Sequence, residues 1–146
     1  LTGDRRIKTV RDRFRGYCKA LEANGIERRD NFILEGDFTR EGAYRTAKEY
    51  LKNGKMPQAI FTCNNFTTEG FFKAVLEEKL VLGQDIFCMA FDKLEQFDMF
   101  GLNYSYLERN PWEMGKAAME MLLERLKNPS ILCTRKIIPF HIIMNS

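Results

Sequence analysis

The stretch Ala59-Ile60-Phe61-Thr62-Cys63-Asn64-Asn65 most narrows what this chain can fold into. A short apolar run stops on two amide side chains, and helical periodicity begins directly behind them and runs past Gly70. A buried parallel strand has this layout. Its carboxyl end delivers polar groups to a crevice, with a helix N-terminus close by. A second apolar run, Ile86 to Phe91, ends the same way on Asp92. Two strands that both finish in hydrogen-bonding side chains point to a small-molecule cleft.

The remaining periodicity places these two strands in an alternating pattern. Val10, Phe14, Tyr17, Cys18 and Leu21 recur every three or four residues and predict a helix over 10–23, stopped at Asn24-Gly25. Phe32 to Leu34 reads as a short strand. Thr39 is the expected N-cap of a helix reaching Leu51, closed by Asn53-Gly54. The strand at 59–63 precedes a helix over 66–79, with Phe66, Gly70, Phe71, Ala74, Val75 and Leu76 turned inward. The strand at 86–91 leads into an irregular stretch over 92–101. A strand is expected over 102–107, then a helix over 111–126 with Asn110 as N-cap and Pro111 in its first turn. Residues 135–143 complete the pattern as a last strand. Strands alternating with helices imply a three-layer α/β fold with a mostly parallel sheet.

Bulk properties exclude several classes. The 146 residues suffice for one ordinary domain, and 45% hydrophobic with 29% charged content is that of a soluble globular protein. No apolar run approaches the roughly 20 residues of a membrane span. The polar start, Leu-Thr-Gly-Asp-Arg-Arg, has no signal-peptide character, so a cytoplasmic location with no membrane association is expected. A net charge of +3, from 23 basic and 20 acidic residues, is too mild to argue for nucleic acid by itself. The basic stretch from Arg5 to Arg15 reads mainly as a solvated face. Four cysteines at 18, 63, 88 and 133 form no CxxC pair and read as reduced thiols. The single histidine, His141, sits in an apolar run and reads as a structural strand residue.

No enzyme constellation is present: there is no GxSxG, no Walker A loop and no HExxH. Neither a metal nor a cofactor is expected. The polar groups that stand out suit a hydroxyl-rich ligand. Asn64 offers a donor and an acceptor, Asp92 two acceptors, and Arg13 a fork of donors. Phe38 can present a flat apolar face to a ring. Each also suits a plain structural job. Asn64 and Asp92 can cap the helix or turn behind their strands, and Phe38 can pack in the core.

Several segments, in order along the chain, resemble the effector-binding region of the lactose-repressor (LacI/GalR) family of bacterial transcription regulators. Gly3-Asp4-Arg5-Arg6-Ile7 resembles the family's GHRRI. Arg13 through Gly16-Tyr17 to Ala20-Leu21 resembles R-x-x-GF-x-x-AL, followed by Gly25-Ile26. Gly36-Asp37-Phe38 before Gly42-Ala43-Tyr44 resembles GDF…GY. Pro57 to Asn65 resembles P-T-AIF-x-x-ND, Ala90-Phe91-Asp92 resembles GFD, and Tyr104 to Gly115 resembles a T-x-V-x-Q…MG segment.

The resemblance implies a periplasmic-binding-protein-like fold of type I, two lobes hinged around a small ligand. Residues 1–146 would be mostly the C-terminal lobe of the effector domain. Residues 108–128 would be a crossover helix belonging to an N-terminal lobe outside this chain. Ligand contacts carry over to Arg13, Phe38, Asn64 and Asp92. Asn65 and Arg109 stand where the family has an aspartate and commonly a glutamine, departures that bear on ligand preference. The implied partners are a sugar or phosphosugar effector and a second copy of the chain in a homodimer. Operator DNA would be contacted only through a helix-turn-helix headpiece outside these residues. The family strand and loop of about a dozen residues have no counterpart between Ile7 and Thr9. The rival reading is a periplasmic sugar-binding protein of an ABC transporter with the same fold.

Overall fold

A computed structural model describes residues 1–53 and 57–145. Three parallel strands and one antiparallel strand make a sheet in the order β1-β2-β3-β4: β1 Ala59–Thr62, β2 Phe87–Ala90, β3 Ser105–Arg109 and β4 Phe140–Ile143. Ile60 pairs with Cys88 and Ala90 with Tyr106 in parallel register, whereas β4 runs against β3, with Arg109 facing Phe140. The helices are α1 Lys8–Ala23, α2 Arg40–Lys52, α3 Asn65–Glu77 and α4 Pro111–Lys127. The alternating α/β pattern and the mostly parallel sheet are as the sequence implies.

The strand period of two divides β1 between two faces. Ile60 and Thr62 are buried toward α3, where the Thr62 and Thr68 hydroxyls share a 2.7 Å hydrogen bond. There α3 packs against α2, and Phe71, Phe72, Val75, Ala43, Ala47 and Ile86 form the centre of the core. Gly70 makes the close approach possible. A Cβ at that position would lie 2.7 Å from the Tyr44 backbone nitrogen and 2.8 Å from Ala43 Cβ. Phe72 also meets Tyr104 and Phe97 edge-on, with ring centroids 4.9 and 5.3 Å apart. Phe61, on the opposite face, shares a cavity wall with Phe14 and Tyr17 of α1.

Several expectations need correction. Residues 32–34 are not a strand: a 3-10 turn spans Asp30–Phe32, and a single parallel bridge joins Thr2 to Glu35. Residues 1–2 hold the strand position instead. The Thr2 amide donates to the Leu34 carbonyl (2.7 Å), Gly36 donates to Thr2 (2.8 Å), and Cys63 of the β1 end donates to Leu1 (3.2 Å). Gly3 thus follows a strand end, and residues 4–7 are the connector into α1, braced by the Asp4–Arg6 ion pair. The GHRRI correspondence therefore fails in register, and no strand is missing between Ile7 and Thr9. Phe66 and Leu76, expected to face inward, are each half exposed. Residues 92–101 contain a 3-10 helix, Glu95–Phe100, and the last strand is four residues long rather than nine. Asn53 ends α2 as expected, while Gly54 lies outside the described residues.

Between residues 33–34 and β1 the sheet opens into a cavity of about 580 Å³. Its walls are largely apolar, and Tyr50 lines it with a hydroxyl that has no hydrogen-bond partner among the described residues. Leu1 is buried beside it, and its backbone nitrogen donates to the Phe61 carbonyl at 2.6 Å. Burial pushes the Cys88 thiol up to about 12, so that sulfur behaves as an apolar filler.

Candidate ligand-binding cleft

Parallel strands with helices behind them leave their carboxyl ends on one edge of the sheet, where side chains from separate βα junctions converge. Here the junction after β2 supplies Phe91 and Asp92, the end of β3 supplies Arg109, and α1 supplies Arg13. The Arg13 guanidinium stacks over the Phe91 ring, 3.4 Å from its centroid, and donates a hydrogen bond to the Cys63 carbonyl at the end of β1. Arg109 approaches the same ring at 5.6 Å, and its Nε donates to Asp92 Oδ1 at 2.6 Å. Two guanidinium groups therefore share one aromatic ring, and one carboxylate, less exposed than Arg109, pairs with the second. Partial burial disfavours the charge on Arg13 and lowers its pKa; Asp92 acts against that shift and Arg109 adds to it.

The other expected site residues occupy their positions differently. Asn64 caps α3: its side-chain oxygen accepts from the Thr67 amide at 2.8 Å, and the Thr67 hydroxyl accepts from the Asn64 amide at 3.1 Å. The acceptor is committed to the helix, which leaves the side-chain NH2 as the group directed outward. Asn65 is the exposed first residue of α3. Phe38 has a left-handed backbone, φ 68°, after Asp37 at φ 44°. Its ring lies against Gly3, where a Cβ would collide with it. The strained turn is held by the Asp37 carboxylate, which accepts from the Thr39 hydroxyl at 2.5 Å.

The structure thus brings Arg13, Asp92 and Arg109 together, and it uses Asn64 as a cap. Phe91 is the residue that sequence reasoning passed over. The sequence presents it as the last apolar residue of a strand, whereas in the structure both arginines approach its ring. The signal was present in Ala90-Phe91-Asp92, where an aromatic residue adjoins the polar strand end. Among the described residues no group of three or more potential ligands is arranged to hold a metal ion. No helix there is long and apolar enough to cross a membrane.

The family model for a periplasmic binding protein-like domain matches residues 1–144. The chain belongs to that family. It is similar to the ribose operon repressor of Haemophilus influenzae, 29% identical over 130 residues, covering 89% of this chain and 39% of the repressor. It is also similar to the HTH-type transcriptional repressor PurR of Photobacterium profundum, 28% identical over 128 residues, covering 88% of this chain and 38% of that one. The chain thus spans about two fifths of the length of the curated relatives it matches. A regulatory protein of the LacI family from Chloroflexus aggregans superposes with a TM-score of 0.87 at 21% identity, over 100% of this chain and 53% of that one. The resemblance to LacI-type regulators read from the motifs is borne out by these relatives and this neighbour. The named relatives are repressors rather than enzymes.

Proposed function

We propose that this chain is the effector-sensing part of a LacI-type bacterial transcription regulator. A small hydroxyl-rich ligand binds against Arg13, Phe91, Asp92 and Arg109, with Phe38 and the Asn64 side-chain amide completing the cleft. The observation that carries this reading is the stacking of Arg13 on Phe91 beside the Asp92–Arg109 pair. Oriented donors and an acceptor on a flat apolar support match the alternating hydroxyl groups and C–H faces of a sugar. The protein would work in the cytoplasm without catalysing a reaction, and operator DNA would be held by a headpiece outside these 146 residues. Ligand binding would then alter DNA affinity by favouring one arrangement of two lobes.

The assembly belongs to the same reading. Residues 108–128 are the crossover to a second lobe, and the exposed apolar side chains of α4 are what that lobe or a second copy would cover. With the lobe absent, the 146-residue chain is expected to form a homodimer by light scattering at micromolar concentration. The named relatives favour a regulator over a transporter's binding protein.

Titration calorimetry on the full-length protein with a panel of neutral pentoses, hexoses and purine bases tests the cleft. At least one member is expected to bind, and Asp92→Ala is expected to weaken that binding by about 1.5–3 kcal/mol, the usual worth of a charge-assisted hydrogen bond. Folding should change little, because Asp92 lies at a strand end. Affinity unchanged in both Arg13→Ala and Asp92→Ala would return these residues to structural roles.

A further inference from the structure

We propose that Arg109 makes this cleft selective for ligands that carry an anionic group, a sugar phosphate above all, beside their hydroxyls. The inference rests on the reading of the cleft just given and narrows the class of its ligand. A guanidinium has five N–H donors in a planar fork. Arg109 places only its Nε on Asp92, and Arg13 places only one terminal nitrogen on the Cys63 carbonyl. No other acceptor among the described residues takes the remaining donors of either group. Two positive charges and one negative charge leave the cluster with a formal excess of one positive charge. That excess lies against the Phe91 ring, where hydration is reduced on one side of each guanidinium.

A neutral ligand leaves that excess uncompensated, and a phosphate cancels it. Its oxygens match the paired N–H geometry of an arginine fork, in which charge-assisted bonds are about twice as strong as neutral ones. Asp92 holds Arg109 through Nε, and no hydrogen bond joins the terminal nitrogens to that carboxylate. The acidic residue then orients the arginine rather than neutralising it. The arrangement also gives the glutamine alternative at position 109 a defined consequence. An uncharged amide there would leave Arg13 and Asp92 balanced, and the cleft would suit a neutral ligand.

The test compares matched pairs by titration calorimetry on the full-length protein: ribose with ribose 5-phosphate, glucose with glucose 6-phosphate, and fructose with fructose 6-phosphate. Inorganic phosphate and gluconate serve as separate probes for the anion alone and for a carboxylate. At least one phosphate is expected to bind tenfold or more tightly than its neutral partner, with affinity falling as salt rises. Arg109→Gln should bring that ratio close to one, because the phosphate loses its charged partner while both members of a pair lose the same contact to the sugar. Arg109→Lys should recover part of the ratio, because the charge returns without the fork. A neutral sugar bound as tightly as its phosphate overturns this proposal and leaves the effector-binding reading standing. A ratio that survives Arg109→Gln overturns the assignment to Arg109. If no sugar, phosphate or acid binds, the effector-binding reading falls as well.

Discussion

Helices α3 and α4 carry comparable apolar sequences and meet different fates. Of the 13 residues of α3, Thr67, Thr68, Gly70, Phe71, Phe72, Ala74 and Val75 are buried, closed in by α2 and the sheet. Of the 17 residues of α4, only Ala117 is buried, while Trp112 is 72% and Leu126 68% exposed. Both begin with an asparagine N-cap and both have an apolar stripe. Local sequence therefore makes each a helix, and what lies opposite decides which becomes core. In α3 the side chains face Ala43, Ala47 and Ile86; in α4 the stripe faces solvent. Apolar patterning specifies that a surface is to be covered, without naming its cover.

The largest expected difference between the two helices is in core truncation. Phe72→Ala removes a fully buried ring from among Phe71, Phe97 and Tyr104 and should cost about 3–5 kcal/mol in urea unfolding. In the dissociated chain, Leu126→Ala should change the same measurement by less than about 0.5 kcal/mol, as befits an exposed position. Equal costs there would mean that another part of the chain covers α4, whereas a cost that appears only as the concentration rises is the one expected from a second copy.

The contrast also explains how far the sequence could be read. Local signals were sufficient for the four main helices, because the caps at Thr39, Asn64 and Asn110 and the spacing of the apolar residues act within a few positions. Strand ends at Cys63 and Phe91 were legible for the same reason. Non-local facts were not. The strand role of Leu1 and Thr2 depends on partners more than 30 residues away, so a motif match placed the region one segment out of register. Phe66 and Leu76 fit the inward period of α3 on paper, but the sheet and α2 close only part of that face. In the cleft, Arg13, Asp92 and Arg109 could be singled out individually. Their common support, Phe91, required knowing that residues 13, 91 and 109 meet.

The subtlest comparison sets one cap against the other. The Asn64 side chain accepts from the Thr67 amide at 2.8 Å, and that of Asn110 accepts from Glu113 at 3.0 Å. As local interactions the two are nearly equal, each worth about 1 kcal/mol to its own helix. Their effects on the whole molecule should differ, because α3 unfolds only when the core does, whereas α4 can fray while the core stays intact. Asn64→Ala is therefore expected to lower global stability by about 1 kcal/mol. Asn110→Ala should leave the unfolding midpoint of the dissociated chain almost unchanged and appear instead as faster hydrogen exchange in the first turn of α4. If Asn110→Ala shifts the midpoint as far as Asn64→Ala does, α4 belongs to the cooperative unit. The exposed face of the helix must then be covered in solution. Repeating the pair below the concentration at which a dimer persists separates the two sources of cover. A cost that disappears on dilution comes from a second copy, and one that remains comes from within the chain.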